Sequence, residues 1–316
     1  MRRDQRLQLT PPATASSRPL QREAAITLAA ATVGLVVLWF LFIRLQLGRQ
    51  FENVVWEHRT VLAKRLRVGH DSALRLVDET TIALGALVVL LIGVARRRLL
   101  LGIAVTVAVA GATVSSQVLK RWAITRPPTV GELARISANS FPSGHATICT
   151  ALGLAVLVMI PRRWRRLATV LVALWVAVQC VGVLASGWHR PSDALAGMAV
   201  AVIWMAAAVW VIARLGRVVP DDTDHVQVAA ERRLVVGALI VSLVALLVSA
   251  QIGGETIVSA GGVAYLASCA VIVLTGVGTV WWFWLMLHDW TLDARPAASP
   301  PVVPVTGVDG GSHPES

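Results

Sequence analysis

The chain has 316 residues, of which 56% are hydrophobic and 15% charged, a balance that excludes an ordinary soluble domain and marks an integral membrane protein. Its formal net charge of +11 does not point to nucleic acid, because the basic residues are dispersed among short connections between apolar runs. The three cysteines, Cys149, Cys180 and Cys269, fall inside those runs at spacings that suit neither a disulfide framework nor a metal site, and read as buried structural thiols.

Residues 1–23 are polar and basic and contain Pro11, Pro12 and Pro19, so a disordered cytoplasmic tail is expected there. Eight runs are long and apolar enough to cross a hydrocarbon core as helices. They cover approximately 24–43, 79–95, 99–119, 145–160, 167–188, 192–213, 234–252 and 262–287. The first resembles a secretory signal in its basic flank, but its length, Trp39, Phe40 and Phe42, and the absence of a small-residue cleavage pattern read as an uncleaved span.

Between the first two runs, Phe51, Val54, Val55, Trp56, Leu62, Leu66 and Leu74 recur among charged residues at helical spacing. The segment reads either as a lid or collar along the membrane interface or as a packed surface helix pair. Arg96 to Arg98, the basic residues within 162–166, and Arg214, Arg217, Arg232 and Arg233 alternate with connections poor in such charge. The positive-inside bias therefore assigns these clusters, and both termini, to the cytoplasm. Alternation then brings the end of the third run at Lys120, the start of the fourth at His145 and the junction of the fifth and sixth at His189 to the extracytoplasmic face.

Three polar clusters meet there. Lys120, Arg121 and Arg126 leave the third run as a positive group stopped by Pro127 and Pro128, and guanidinium suits a phosphate partner through bidentate hydrogen bonds; contact with lipid headgroups is the alternative. Pro142-Ser143-Gly144-His145 opens the fourth run with a capping serine and a glycine that admits close approach, so its exposed amides form an anion site. His145, one turn in, is placed to donate a proton to a leaving oxygen. His189 and Asp193 are four residues apart, so the carboxylate can hold one imidazole nitrogen while the other is free to attack. His58, His70, His225, His288 and His313 read as solvated surface residues, and no zinc-binding histidine motif occurs.

Together these residues resemble the type 2 phosphatidic acid phosphatase superfamily over about residues 30–213, in motif order and in placement at helix ends. The resemblance implies an all-α, polytopic membrane helix bundle. Its six-helix phosphatase-like core would span 24–215, followed by a cytoplasmic loop over 216–233, two extra transmembrane helices within 234–288 and a disordered tail over 289–316. It further implies His189 as nucleophile, Asp193 as its orienting carboxylate and His145 as general acid, with Lys120, Arg126, Ser143 and Gly144 as phosphate ligands. No metal or other cofactor is implied. The substrate would be a phosphomonoester or diphosphate lipid of the phosphatidic acid or undecaprenyl diphosphate type, with a phosphotransferase or a non-catalytic lipid-phosphate binder as the alternatives.

Two departures stand out. Lys120 and Arg126 enclose one residue fewer than the family's first motif, and Gly182-Val183 stand where its third motif has Ser-Arg. Arg190, Arg121 and Arg135 are candidate substitutes for that arginine, Arg190 first because it adjoins His189. Beyond the core, Trp281, Trp282, Phe283, Trp284 and Trp290 read as an interfacial aromatic belt.

Overall fold

The computed structural model describes residues 17–59, 79–127, 139–220 and 261–292, with a few isolated positions between 233 and 240. Eight α-helices lie among them: α1 (Arg18–Trp39), α2 (Gln46–Glu57), α3 (Glu79–Ala95), α4 (Leu99–Val118), α5 (Gly144–Met159), α6 (Arg162–Ala185), α7 (Pro191–Arg214) and α8 (Gly261–Leu287). The fold is an all-α bundle of the polytopic membrane type. Five helical stretches are long and apolar enough to cross a membrane: Arg18–Arg44, Leu99–Ala123, Arg162–Ala185, Pro191–Arg214 and Gly261–Leu287. The seventh expected run lies almost wholly outside the described residues, as do Arg135, His70, His225 and His313.

The bundle is organised around α7, which packs against α1, α4, α5 and α8. Small side chains allow this: Ala194, Ala196, Ala201, Ala206 and Ala213 are all fully buried, so neighbouring backbones approach closely. The outward face has the reverse character. On α6, Leu167, Val170, Leu171, Leu174 and Val178 are exposed at helical spacing, an apolar stripe suited to lipid.

At the end of the bundle where α3, α5 and α8 finish, arginines expected only as topology signals act as helix caps. Arg96 donates to the carbonyl of Met159 at the end of α5. Arg165 is 4% exposed and donates from Nη1 to the carbonyls of Leu287 and Trp290, just where α8 leaves its last carbonyls without intrahelical partners.

Three expectations are corrected here. The first helix begins at Arg18, inside the expected tail, because Pro19 falls in its first turn, where a missing N–H costs nothing and the fixed φ suits a helix. The C-terminal segment after α8 begins with β2 (Trp290–Leu292), which pairs antiparallel with β1 (Val218–Pro220), Val218 opposite Leu292. The aromatic group is not a simple belt either: Phe283, Trp284 and Trp290 are buried, and Trp290 is held by Arg165 and the strand pair.

Replacing Arg165 with methionine keeps much of its bulk but leaves two carbonyls without their charged donor. We expect a loss of about 2 kcal/mol, the cost of orphaning buried acceptors, read as a lower midpoint of thermal unfolding in detergent micelles. An unchanged midpoint would show that these caps contribute nothing to stability.

Candidate active site

Two helices end, at the opposite pole of the bundle, in a widened turn. Residues Phe40–Arg44 and Leu119–Ala123 each form one π-helical turn, closed by Leu45 N–H to Phe40 O at 3.1 Å and by Ile124 N–H to Leu119 O at 2.9 Å. In both cases the next residue is extended, so the chain turns sharply away. The first turn folds α2 back across this pole. Arg49 caps it by donating to the carbonyls of Ile43 and Arg44, and Gly48 lets α2 press onto the π-helical turn, since a Cβ there would lie 2.0 Å from the Leu41 oxygen.

The buried stripe of α2 comprises Gly48, Phe51, Glu52 and Val55, at the spacing of one helix face. Of the two structures expected for this segment, the described part is a packed helix contributing to the site; its continuation beyond Arg59 lies outside the described residues. Glu52 is the exception to the apolar character of that stripe, and it is fully buried. Its Oε2 lies 2.9 Å from Arg126 Nη1, and its Oε1 accepts from Ser192 N–H at 2.9 Å, in the first turn of α7. Beside it, Asn53 Oδ1 accepts from Arg190 Nη2 at 3.1 Å.

Asp193 completes the network. Its Oδ1 is 2.8 Å from Arg126 Nη2, and its Oδ2 accepts from Arg190 N–H at 2.9 Å and from Ser140 Oγ at 2.5 Å. The contact with Arg190 N–H closes a capping box that fixes the start of α7. His189 Nδ1 stands 3.5 Å from the same Oδ2, a separation that steers the ring without a fully formed hydrogen bond. The His189 and His145 ring centroids are 6.4 Å apart, and Trp188 packs 5.2 Å from His145.

Ser143 caps α5, its hydroxyl accepting from Ala146 N–H at 3.3 Å, while its own N–H donates to the backbone oxygen of Asp193 at 2.8 Å. This backbone link binds the starts of α5 and α7 together. Asn139 joins the end of α4 to them by donating to the carbonyls of Lys120 and Ile124 at 2.8 and 2.6 Å. Lys120 is close enough for its charge to act on both Asp193 and His145.

The bundle therefore gathers Lys120, Arg126, Ser143, Gly144, His145, His189, Arg190 and Asp193 at one pole, but not in equal readiness. Arg126, expected to grip phosphate, is 5% exposed and bridges two carboxylates. Arg190, expected to replace the missing arginine, is 3% exposed and reaches toward α2. A phosphate would compete at both with internal oxygens. Val183 is fully buried in the hydrophobic core, so nothing cationic projects from that position; its carbonyl instead accepts from His189 N–H and Trp188 N–H, each at 3.2 Å. Gly187, at φ 69, makes the reversal this requires. Its carbonyl accepts from Trp56 Nε1 at 3.0 Å, a second tie from α2 to the loop that carries His189.

Glu52, Asn53, Asn139 and Ser140 were not foreseen as site residues. Only Glu52 left a trace in the sequence, as a carboxylate in phase with Phe51 and Val55 on an otherwise apolar face.

Paired histidines, a buried carboxylate and a lysine thus gather at one pole of a membrane-type bundle. Residues 99–217 match the sequence model of the PAP2 superfamily, whose members are phosphatases, and over that segment the chain is similar to them. No curated protein and no solved structure matches the chain.

Burial raises the proton affinity of Glu52 above that of an ordinary carboxylate, opposed by the charge of Arg126 and reinforced by that of Asp193. A folded-state pKa above the unfolded value of 4.5 adds stability that is fully present below that value and is lost as pH rises through the folded pKa. Wild type should accordingly compare best with Glu52→Gln in acid. The difference in unfolding midpoint should move against wild type as pH is raised toward neutrality, a trend that a pH series of thermal melts would reveal or refute.

Proposed function

We propose that this protein is a lipid phosphatase of the cell membrane that hydrolyses a phosphomonoester or diphosphate lipid at the extracytoplasmic face, without a metal, through a phosphohistidine on His189. The observation that carries the reading is the convergence of His145, His189 and Asp193, with the two imidazoles 6.4 Å apart and the carboxylate beside Nδ1 of His189. The orientation is supported by Arg96 to Arg98, Arg162, Arg163, Arg166, Arg214 and Arg217, which all belong to the pole opposite the site.

In the first step His189 Nε2 forms a bond to phosphorus as the bond to the leaving oxygen breaks, and His145 supplies the proton that oxygen needs. Asp193 keeps Nδ1 of His189 on the protonated side and balances the charge that develops on the ring. In the second step water attacks the phosphohistidine and surrenders a proton to His145, and the N–P bond breaks to release inorganic phosphate. Lys120 and the amides opening α5, Gly144 among them, offset the charge on the equatorial oxygens. The location suits a substrate such as phosphatidic acid or undecaprenyl diphosphate, whose phosphate can meet these groups while its acyl or prenyl chain stays in lipid.

Brief incubation of purified protein with a lipid carrying labelled phosphate, followed by alkaline quench, should trap label on His189. Phosphate release should persist in EDTA. His189→Ala should abolish the trapped species and lower kcat by roughly a thousandfold or more, and His145→Ala should lower it by about a hundredfold or more. Unchanged release from His189→Ala would refute the reading. Transfer of the label to a hydroxyl acceptor, with little inorganic phosphate formed, would instead identify a phosphotransferase.

A further inference from the structure

Glu52 is a buried carboxylate beside the histidines, and the proposed chemical steps do not use it. Glu52 contacts no group assigned a chemical step, yet it is fully buried, its two oxygens are bonded to two different chain segments, and it comes from a helix outside the segment matched by the family. An isolated carboxylate in such a place is costly, and a buried ion pair offsets that cost only when its geometry is good. At Glu52 the geometry is good on both sides. Arg126 lies 2.9 Å from one oxygen and Ser192 N–H lies 2.9 Å from the other.

We propose that Glu52 is a positioning residue for phosphoryl transfer, setting the orientation of Asp193, and through it of His189, by holding Arg126 and the first turn of α7. This inference rests on the function proposed above and deepens it. Arg126 spans the two carboxylates with separate nitrogens, Nη1 to Glu52 and Nη2 to Asp193 Oδ1. With Nη1 anchored by Glu52, the guanidinium meets Asp193 through one nitrogen only. Oδ2 is then left to the Arg190 N–H, Ser140 and the imidazole. Loss of Glu52 removes the hold on Nη1 and shifts the balance toward a bidentate pair of Arg126 with Asp193, the geometry guanidinium and carboxylate favour, which draws Oδ2 away from His189. Ser192 N–H would lose its acceptor at the same time, loosening the turn that carries the carboxylate. Among the described residues, the charged groups that act on Glu52 are Arg126, Arg190 and Asp193.

Because Glu52 acts through other residues, its removal should be felt in the transition state more than in substrate binding. Full-length Glu52→Gln and Glu52→Ala in phosphatidic acid mixed micelles should each show kcat lowered by at least about tenfold, with KM changed less than about threefold. Glu52→Asp, which keeps the charge, should recover part of the loss. Orthovanadate, a trigonal-bipyramidal phosphate mimic, should bind both neutral variants at least about tenfold more weakly, as read from broadening of its vanadium resonance. A purely structural role predicts less folded protein but normal kcat and vanadate affinity per folded molecule, and that result would overturn the proposal. So would a loss confined to KM. If wild type binds vanadate but hydrolyses no lipid phosphate, the substrate reading fails, and the vanadate comparison still decides the role of Glu52. If wild type binds neither, both fall.

Discussion

Glu52, Arg126 and Asp193 form a chain of buried charges at the pole of an otherwise apolar bundle, and much of the local architecture exists to satisfy it. Removing one member of such a group strands the others, at a cost of about 3–5 kcal/mol in comparable buried pairs. Four segments that reach this pole contribute. The π-helical turn after α1 brings Glu52 in, the extended residues after α4 bring Arg126, the stretch before α5 brings Ser140, and the first turn of α7 brings Asp193. A membrane bundle offers no water at depth to complete unpaired groups, so these elements are constrained jointly.

That constraint also alters the way cations are distributed around the histidines. Val183, which stands where the family's third motif has arginine, packs into the core, and Arg126 and Arg190 are engaged by α2 and by the start of α7. Backbone groups compensate for part of what side chains do not supply: the Val183 carbonyl holds the His189 amide, and the Asp193 carbonyl holds that of Ser143. Position along the chain is thus retained at Val183 while the chemistry of its side chain is lost.

Much of this was legible in the residues. Ser143 caps α5 as its place before Gly144 and His145 indicated, and the four-residue spacing of His189 and Asp193 does bring the ring nitrogen to the carboxylate, although His189 precedes the helix and Asp193 reaches back to it. The apolar runs correspond to helices wherever they are described. Arg165 was misread for a physical reason: a basic residue at a helix end satisfies a topology bias and a capping role equally well, and composition does not separate them. Pro19 was read as part of a disordered tail, whereas the first turn of a helix is where proline is tolerated. The strand pair of Val218–Pro220 with Trp290–Leu292 escaped notice because three residues carry no useful periodicity and their pairing is distant in sequence.

The sequence by itself determined the class of the protein. Hydrophobic run length is set by bilayer thickness, and helix starts and His-x3-Asp spacing are local, so spans and motifs could be read without knowing what lay beside them. Only the tertiary structure decided which charges are available. Whether Arg126 faces a substrate or another side chain depends on Glu52, 74 positions earlier, and on Asp193, 67 positions later. Burial and pairing are properties of neighbours brought together by packing, and no local pattern around Arg126 records that its charge is already shared.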